Sequence, residues 1–245
     1  MLRNQDRLHV ALMLVLTFST GVVDAVGYLG LDKVFTANMT GNVVILAMGL
    51  TGQGHLPVVG PLVALAGFVV GAGIAGRVLR GVPKGWSRRD TTMLTVVAVL
   101  LVAALVPTLL LPPHPYAAAV GYPITAALAV AMGMQAGTAR HLAVTDLTTV
   151  VITSTLAALA FDSRFGRRTG QQWFRRLAAV ALLALGALAG AALLLVRFWL
   201  GLGLAALLVA AVATLGHLGE RTRSTAEERR ATASAASLSA AEADQ

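Results

Sequence analysis

Uncharged apolar runs divide the chain. They occupy residues 57–76, 91–111, 116–139, 177–196 and 198–219, and each is long enough to cross hydrocarbon as a helix, which takes about 20 residues. A further run, 10–23, extends to about Gly30 if Asp24 is tolerated inside it. The pattern predicts six spans, at 8–30, 57–76, 91–111, 116–139, 177–196 and 200–218. Two other apolar segments, 38–50 and 148–161, are too short to span. Each is joined to a polar run, Val34-Phe35-Thr36-Ala37-Asn38-Met39-Thr40-Gly41-Asn42 in the first case and Thr148-Thr149-Val150-Val151-Ile152-Thr153-Ser154-Thr155 in the second. They read as re-entrant half-helices, entering the membrane and returning to the same side.

Charge tests whether the short segments cross. If neither does and the N-terminus is cytoplasmic, 17 of the 19 Lys and Arg lie inside, against Lys33 and Arg197 outside. If both cross, the split is 11 to 8; if only 38–50 crosses, with the N-terminus outside, it is 16 to 3. The positive-inside rule ranks the first arrangement ahead, with both termini cytoplasmic. Composition agrees on the class: 57% hydrophobic, 12% charged and mean hydropathy +0.77 over 245 residues describe a multi-span membrane protein. The net charge of +8 does not indicate nucleic acid, because the basic residues sit in short connections between apolar runs. There are no cysteines, which excludes disulfides, thiolate metal sites and cysteine nucleophiles. Arg3 and Arg7 precede an apolar stretch as in a signal peptide, but no small-x-small cleavage site ends it, so the segment is expected to stay as the first span.

The halves resemble each other. Thr40 aligns with Thr153 at an offset of 113, Gly21 with Gly133 at 112, and Gly67 to Gly71 with Gly186 to Gly190 at 119. Each half then reads as span, half-helix, span, span. Three crossings per half turn the second half upside down, and inverted repeats of this kind set their binding site near the midplane. The expected fold is all-α: six transmembrane helices plus two re-entrant segments in an inverted 3+3 repeat. The membrane domain covers 1–218 (repeats at about 8–111 and 116–218), and the Ala-, Ser-, Glu- and Arg-rich segment 219–245 reads as a cytoplasmic tail, disordered or a frayed helix. Trp86, Trp173 and Trp199 fall where interfacial anchors would, and Pro123 is expected to bend its span.

Chemistry gathers at the polar runs. A half-helix starting near Thr40 would bring unpaired N–H groups and its positive dipole end to membrane depth. Asn38 or Thr40 can cap it, Gly41 permits close backbone approach, and Asn42 offers both a donor and an acceptor. Such groups either line a solute path or satisfy the backbone of an irregular turn. Asp24 is the one acid clearly within a predicted span; a carboxylate there couples protons, binds a cation or caps the nearby half-helix. Gln135 takes nearly its place in the second half, with Thr153, Ser154 and Thr155 mirroring Thr40, Gly41 and Asn42. Arg140 and His141 end a span, where interfacial anchoring is the default and a gate the less favoured alternative. The other histidines lack metal-ligand spacing, and no HExxH, GxSxG, Walker or dinucleotide motif occurs. Neither catalysis, a metal nor a cofactor is expected.

The stretches Gly21-Val22-Val23-Asp24-Ala25 and Val34 to Asn42, followed by Met132-Gly133-Met134-Gln135 and Thr148 to Thr155, resemble the YoaK-type family of bacterial inner-membrane proteins, defined by a domain of unknown function. The resemblance covers roughly residues 8 to 218. It departs at Ser154, where the family pattern has Gly, and at Ala136, where it has a polar residue. It implies a multi-span protein of the bacterial inner membrane without naming a substrate.

The expectation is a transporter or channel for a small solute, neutral or proton-coupled, with Asp24, Asn38, Thr40, Gly41, Asn42, Gln135, Thr153 and Thr155 along its path. Its partners would be the lipid bilayer and that solute, no nucleic acid, and a second copy of the chain is left open. A non-transporting scaffold or accessory subunit is the alternative.

Overall fold

The computed structural model describes residues 2–110, 118–142, 152–161 and 173–243, which hold eight α-helices and no strand. They are α1 (Leu2–Gly30), α2 (Met39–Gly49), α3 (Val59–Val78), α4 (Arg88–Leu110), α5 (Ala118–Leu142), α6 (Ile152–Phe161), α7 (Trp173–Val196) and α8 (Phe198–Ala243). Six carry windows long and apolar enough to cross a membrane: Arg7–Gly30, Val59–Val78, Arg88–Leu110, Ala118–Leu142, Phe174–Val196 and Phe198–Thr222. Those are the six expected spans. α2, with 11 residues, and α6, with 10, are too short. Residues 143–151, which hold the start of the second short segment, lie outside the described residues.

Local signals set the helix ends. Serine at position 87 caps α4: its N–H and hydroxyl both donate to Asp90 Oδ2, at 2.9 and 2.5 Å, while the Asp90 N–H returns to Ser87 Oγ at 3.3 Å. This reciprocal cap satisfies donors that a helix start would leave orphaned. Pro61 falls in the first turn of α3, where no N–H is needed. α1 ends as Leu31 and Lys33 donate back to Gly27 and Tyr28, and Asp32 and Lys33 adopt left-handed backbone, φ 62° and 57°. α8 runs on to Ala243, so most of the segment expected to be disordered or frayed is helical.

Two close seams hold the bundle. Along α1 and α7, a Cβ added at Gly21 would lie 2.2 Å from the Leu183 carbonyl oxygen, and one at Gly186 would lie 2.1 Å from that of Phe18. Along α3 and α5 the same is true of Gly133 against Phe68 and Gly71 against Val130, both at 2.1 Å. Only glycine lets the backbones come this near, the device membrane helices use where lipid removes any hydrophobic drive to associate. Residue numbers rise together along each seam, so α1 runs parallel to α7 and α3 parallel to α5. α8 runs antiparallel to α1, with Gly201 against Val26 and Gly219 against Leu8. In α3, Gly71 occupies the place Gly186 takes in α7, 115 residues later rather than the expected 119. Glycines repeating every four residues allow the sequence alignment to slip by one turn.

The interior is packed with Leu16, Leu94, Leu101, Leu128, Met132 and Leu202, all at most 2% exposed. The outer faces present Val69, Leu188, Leu195 and Leu207, at 66–89% exposure. Apolar surface on this scale is what lipid accommodates and water does not. Trp86 departs from its expected interfacial role: it is 8% exposed, stacks on His9 at 6.0 Å and packs so closely on Gly216 that a Cβ there would overlap the indole. Its Nε1 donates to Thr91 Oγ1 at 2.9 Å, so the indole pins the connection before α4 into the bundle.

Candidate functional site

The first polar run folds back along α1. Gly27 permits this, since a Cβ there would lie 2.6 Å from the Val34 carbonyl oxygen. Residues 34–38 then descend beside the last two turns of α1 and meet Asp24. Its Oδ1 accepts from the backbone N–H of Thr36 (2.9 Å), Ala37 (2.7 Å) and Asn38 (3.4 Å). Successive amides converging on one anion form a nest, and here the anion is the protein's own carboxylate. A charge inside a span is costly unless paired, and these bonds supply the pairing.

Asn42 closes the turn from the other side. Fully buried at 0% exposure, it accepts from the Phe35 N–H at 2.9 Å and donates through Nδ2 to the Phe35 carbonyl at 2.6 Å. One side chain thus satisfies both backbone groups of a residue outside any helix, as hydrocarbon demands. Asn38 is the N-cap of α2, its Oδ1 accepting from the Gly41 N–H at 3.2 Å. A Cβ at Gly41 would meet the Phe35 ring at 2.7 Å. Thr40 is exposed and stands outside this network.

Gln135 belongs to a second cluster, centred one turn deeper on α1 (about 6 Å along the axis). It is 1% exposed, and its Nε2 donates to Thr20 Oγ1 at 3.0 Å and towards the Leu16 carbonyl at 3.4 Å. Thr20 donates onward to Leu16 at 2.9 Å. Gln135 Oε1 and Ser19 Oγ are buried without a partner among the described residues, whereas the Thr36 hydroxyl sits beside the Asp24 carboxylate. Buried polar atoms are usually paired, so two orphans around the midsection of α1 call for an explanation. Thr155, half-buried on α6, is not brought to either cluster, α6 packing on α7. The side chain of Thr153 lies outside the described residues.

Sequence reasoning passed over Asp90 and placed His141 only as the end of a span. Asp90 is 0% exposed, and its Oδ1 lies 2.9 Å from His141 Nδ1, while His141 Nε2 lies 3.2 Å from the Val82 carbonyl oxygen. The signal available was Ser87-x-x-Asp90 ahead of an apolar run, a capping box. Among the described residues no group of three or more His, Cys, Asp or Glu side chains could hold a metal.

Residues 12–215 match the family described as "Protein of unknown function (DUF1275)". The chain belongs to that family. Within DUF1275 it is similar to the UPF0700 transmembrane protein YoaK of Bacillus subtilis (strain 168), 33% identical over 153 residues that cover 62% of this chain and 65% of that relative. The matched region thus spans slightly under two thirds of the relative's length. No solved structure matches the chain. Membership and the six apolar helices make this DUF1275 chain an integral, multi-pass membrane protein, and both polar clusters lie within the family's matched region.

Proposed function

We propose that the protein is a transporter or channel for a small, neutral, polar solute, built as an inverted 3+3 repeat whose path runs between the halves beside α1 and α5. The observation that carries this reading is the Gln135 cluster. The first helix of one half meets the first helix of the other through Gln135 and Thr20, with the orphaned Gln135 Oε1 buried alongside. Inverted-repeat transporters bind solute near the midplane at the repeat interface. An amide and hydroxyls suit a neutral solute with its own donors and acceptors, because the charge on Asp24 is already engaged by three N–H groups.

The repeat is supported by the exchange of contacts between halves. Gly21 on Leu183 and Ala187 has its counterpart in Gly133 on Phe68 and Ala72, and Gly71 on Val130 in Gly186 on Phe18. Re-entry of α2 is supported at both its ends: it starts beside Asp24, and Gly49 packs on the backbone of Leu56 and Pro57 just before α3. The charge distribution favours cytoplasmic termini in a bacterial inner membrane.

A second reading, a non-transporting scaffold or accessory subunit, is favoured by Asp24 and Asn42, whose polar atoms serve the turn's own backbone. Solute uptake into proteoliposomes separates the two, using small polyols, amides and amino acids with Gln135→Leu and Thr20→Val alongside the parent. Uptake lost in folded variants supports transport; no uptake of any solute by the parent supports the scaffold.

A further inference from the structure

We infer that Asp90, His141 and the Val82 carbonyl form a proton-sensitive latch at the end of the bundle opposite α2. Three pieces meet there: the N-terminus of α4, the C-terminus of α5 and the 79–87 connection from α3. Asp90 Oδ2 is taken by the Ser87 N–H and hydroxyl, which leaves Oδ1 to face His141 Nδ1 at 2.9 Å. On the other side of the ring, Nε2 faces the Val82 carbonyl at 3.2 Å. Neither a carboxylate nor a carbonyl can donate. A ring with one proton therefore bonds one of them and turns a lone pair on the other, whereas the doubly protonated ring bonds both. The latch is complete in one charge state and half-made in the other.

Its surroundings isolate that dependence. Charged and titratable groups on the elements packed against α5 are Arg3, Asp6, Arg7, His9 and Asp24 on α1, Arg77 on α3, Arg80 and Lys84 in the connection, and Arg88, Arg89 and Asp90 on α4, with Arg140 on α5 itself. Among the described residues Asp90 is the one of these that touches the imidazole. Arg89 is turned away, its Nη1 donating to the Val78 carbonyl at 3.0 Å. His9, stacked on Trp86, and His217, beside the Gly216 on which Trp86 packs and 3.8 Å from Glu220, are the other imidazoles at this end and have to be controlled for. Loss of the second proton from His141 frees the connection from α5 while Trp86 and Arg89 still hold its two flanks. The opening is therefore local. The latch does not depend on what crosses the membrane; if the path proposed above holds, it governs the end of that path away from α2.

Hydrogen exchange on the full chain in detergent tests this without any flux measurement. Amides of residues 79–91, corrected for the intrinsic exchange rate, should exchange at least about tenfold faster near pH 8.5 than near pH 5.5, on either side of the range where imidazoles change charge. The same difference should appear in His9→Gln and His217→Gln and vanish in His141→Gln and Asp90→Asn, with residues 94–101 unchanged throughout. An absent difference in the parent overturns the latch, as does one that survives in a folded His141→Gln protein or disappears in His9→Gln. Should one latch variant fail to fold, the parent and the other variant still decide.

Discussion

Replacing Asn42 by alanine strips both backbone groups of Phe35 of their partners. The N–H loses a bond of 2.9 Å and the carbonyl one of 2.6 Å, both made by the fully buried Asn42 side chain. Leaving a buried polar group unsatisfied costs about 1–3 kcal/mol, so two cost about 2–6 kcal/mol. In a chain of this size that corresponds to a Tm fall of about 5–20 °C. Asn42→Asp separates the two contributions, because its carboxylate can still accept from the Phe35 N–H but sets oxygen against the Phe35 carbonyl. It should fall at least as far as alanine. Val43→Ala, at an exposed neighbour, should stay within about 0.5 kcal/mol of the parent. The assay is thermal unfolding in detergent followed by light scattering, with hydrogen exchange of residues 34–42 to detect local opening. Should Asn42→Ala match the parent in both Tm and exchange, the clamp contributes nothing and the account of the turn is wrong.

Asp24→Asn retains an oxygen for the Thr36 and Ala37 amides and should cost about 1 kcal/mol, whereas Asp24→Ala orphans three N–H groups and should cost about 3 kcal/mol or more, read from the same melts. Gly133→Ala drives a methyl to 2.1 Å from the Phe68 carbonyl oxygen and should lower Tm sharply, while Gly73→Ala meets open space and should leave it level or gain about 1 kcal/mol of helix propensity. Topology reporters fused after Lys33 and after Leu50 should report the same side of the membrane; opposite sides would remove re-entry and the inverted repeat together. Gln135→Leu deletes an unpaired acceptor and leaves Thr20 bonded to Leu16, so its Tm should hold even if uptake is abolished.

The six spans were legible because a long uncharged run is nearly decisive at membrane depth. The short helix at 38–50 was legible for the same reason in reverse, together with its Asn38 cap. What Asp24 and Asn42 do was less so. A carboxylate and an amide near irregular backbone fit a solute site and a backbone clamp equally well from sequence, and only the distances to residues 35–38 decide which groups they hold. Trp86 misled because an indole beside basic residues reads as an interfacial anchor, while its actual partners, His9 and Gly216, lie far away in the chain. His141 was invisible as a contact for that reason too: Asp90 is 51 residues distant.

The two glycine seams bear on how the protein is made. Gly21 closes on Leu183, so the first helix leaves the ribosome before its main neighbour has been synthesised. At about 5–20 residues per second, that interval is roughly ten to thirty seconds. Meanwhile α1 waits in lipid with its small-residue face uncovered. α3 waits less, since only α4 separates it from α5. An isolated N-terminal half would keep α3 and α4 without the strands of contact that α5 and α7 bring, so the halves should be stable when co-expressed and degraded when expressed singly. Biogenesis thus depends on the last two spans arriving in time.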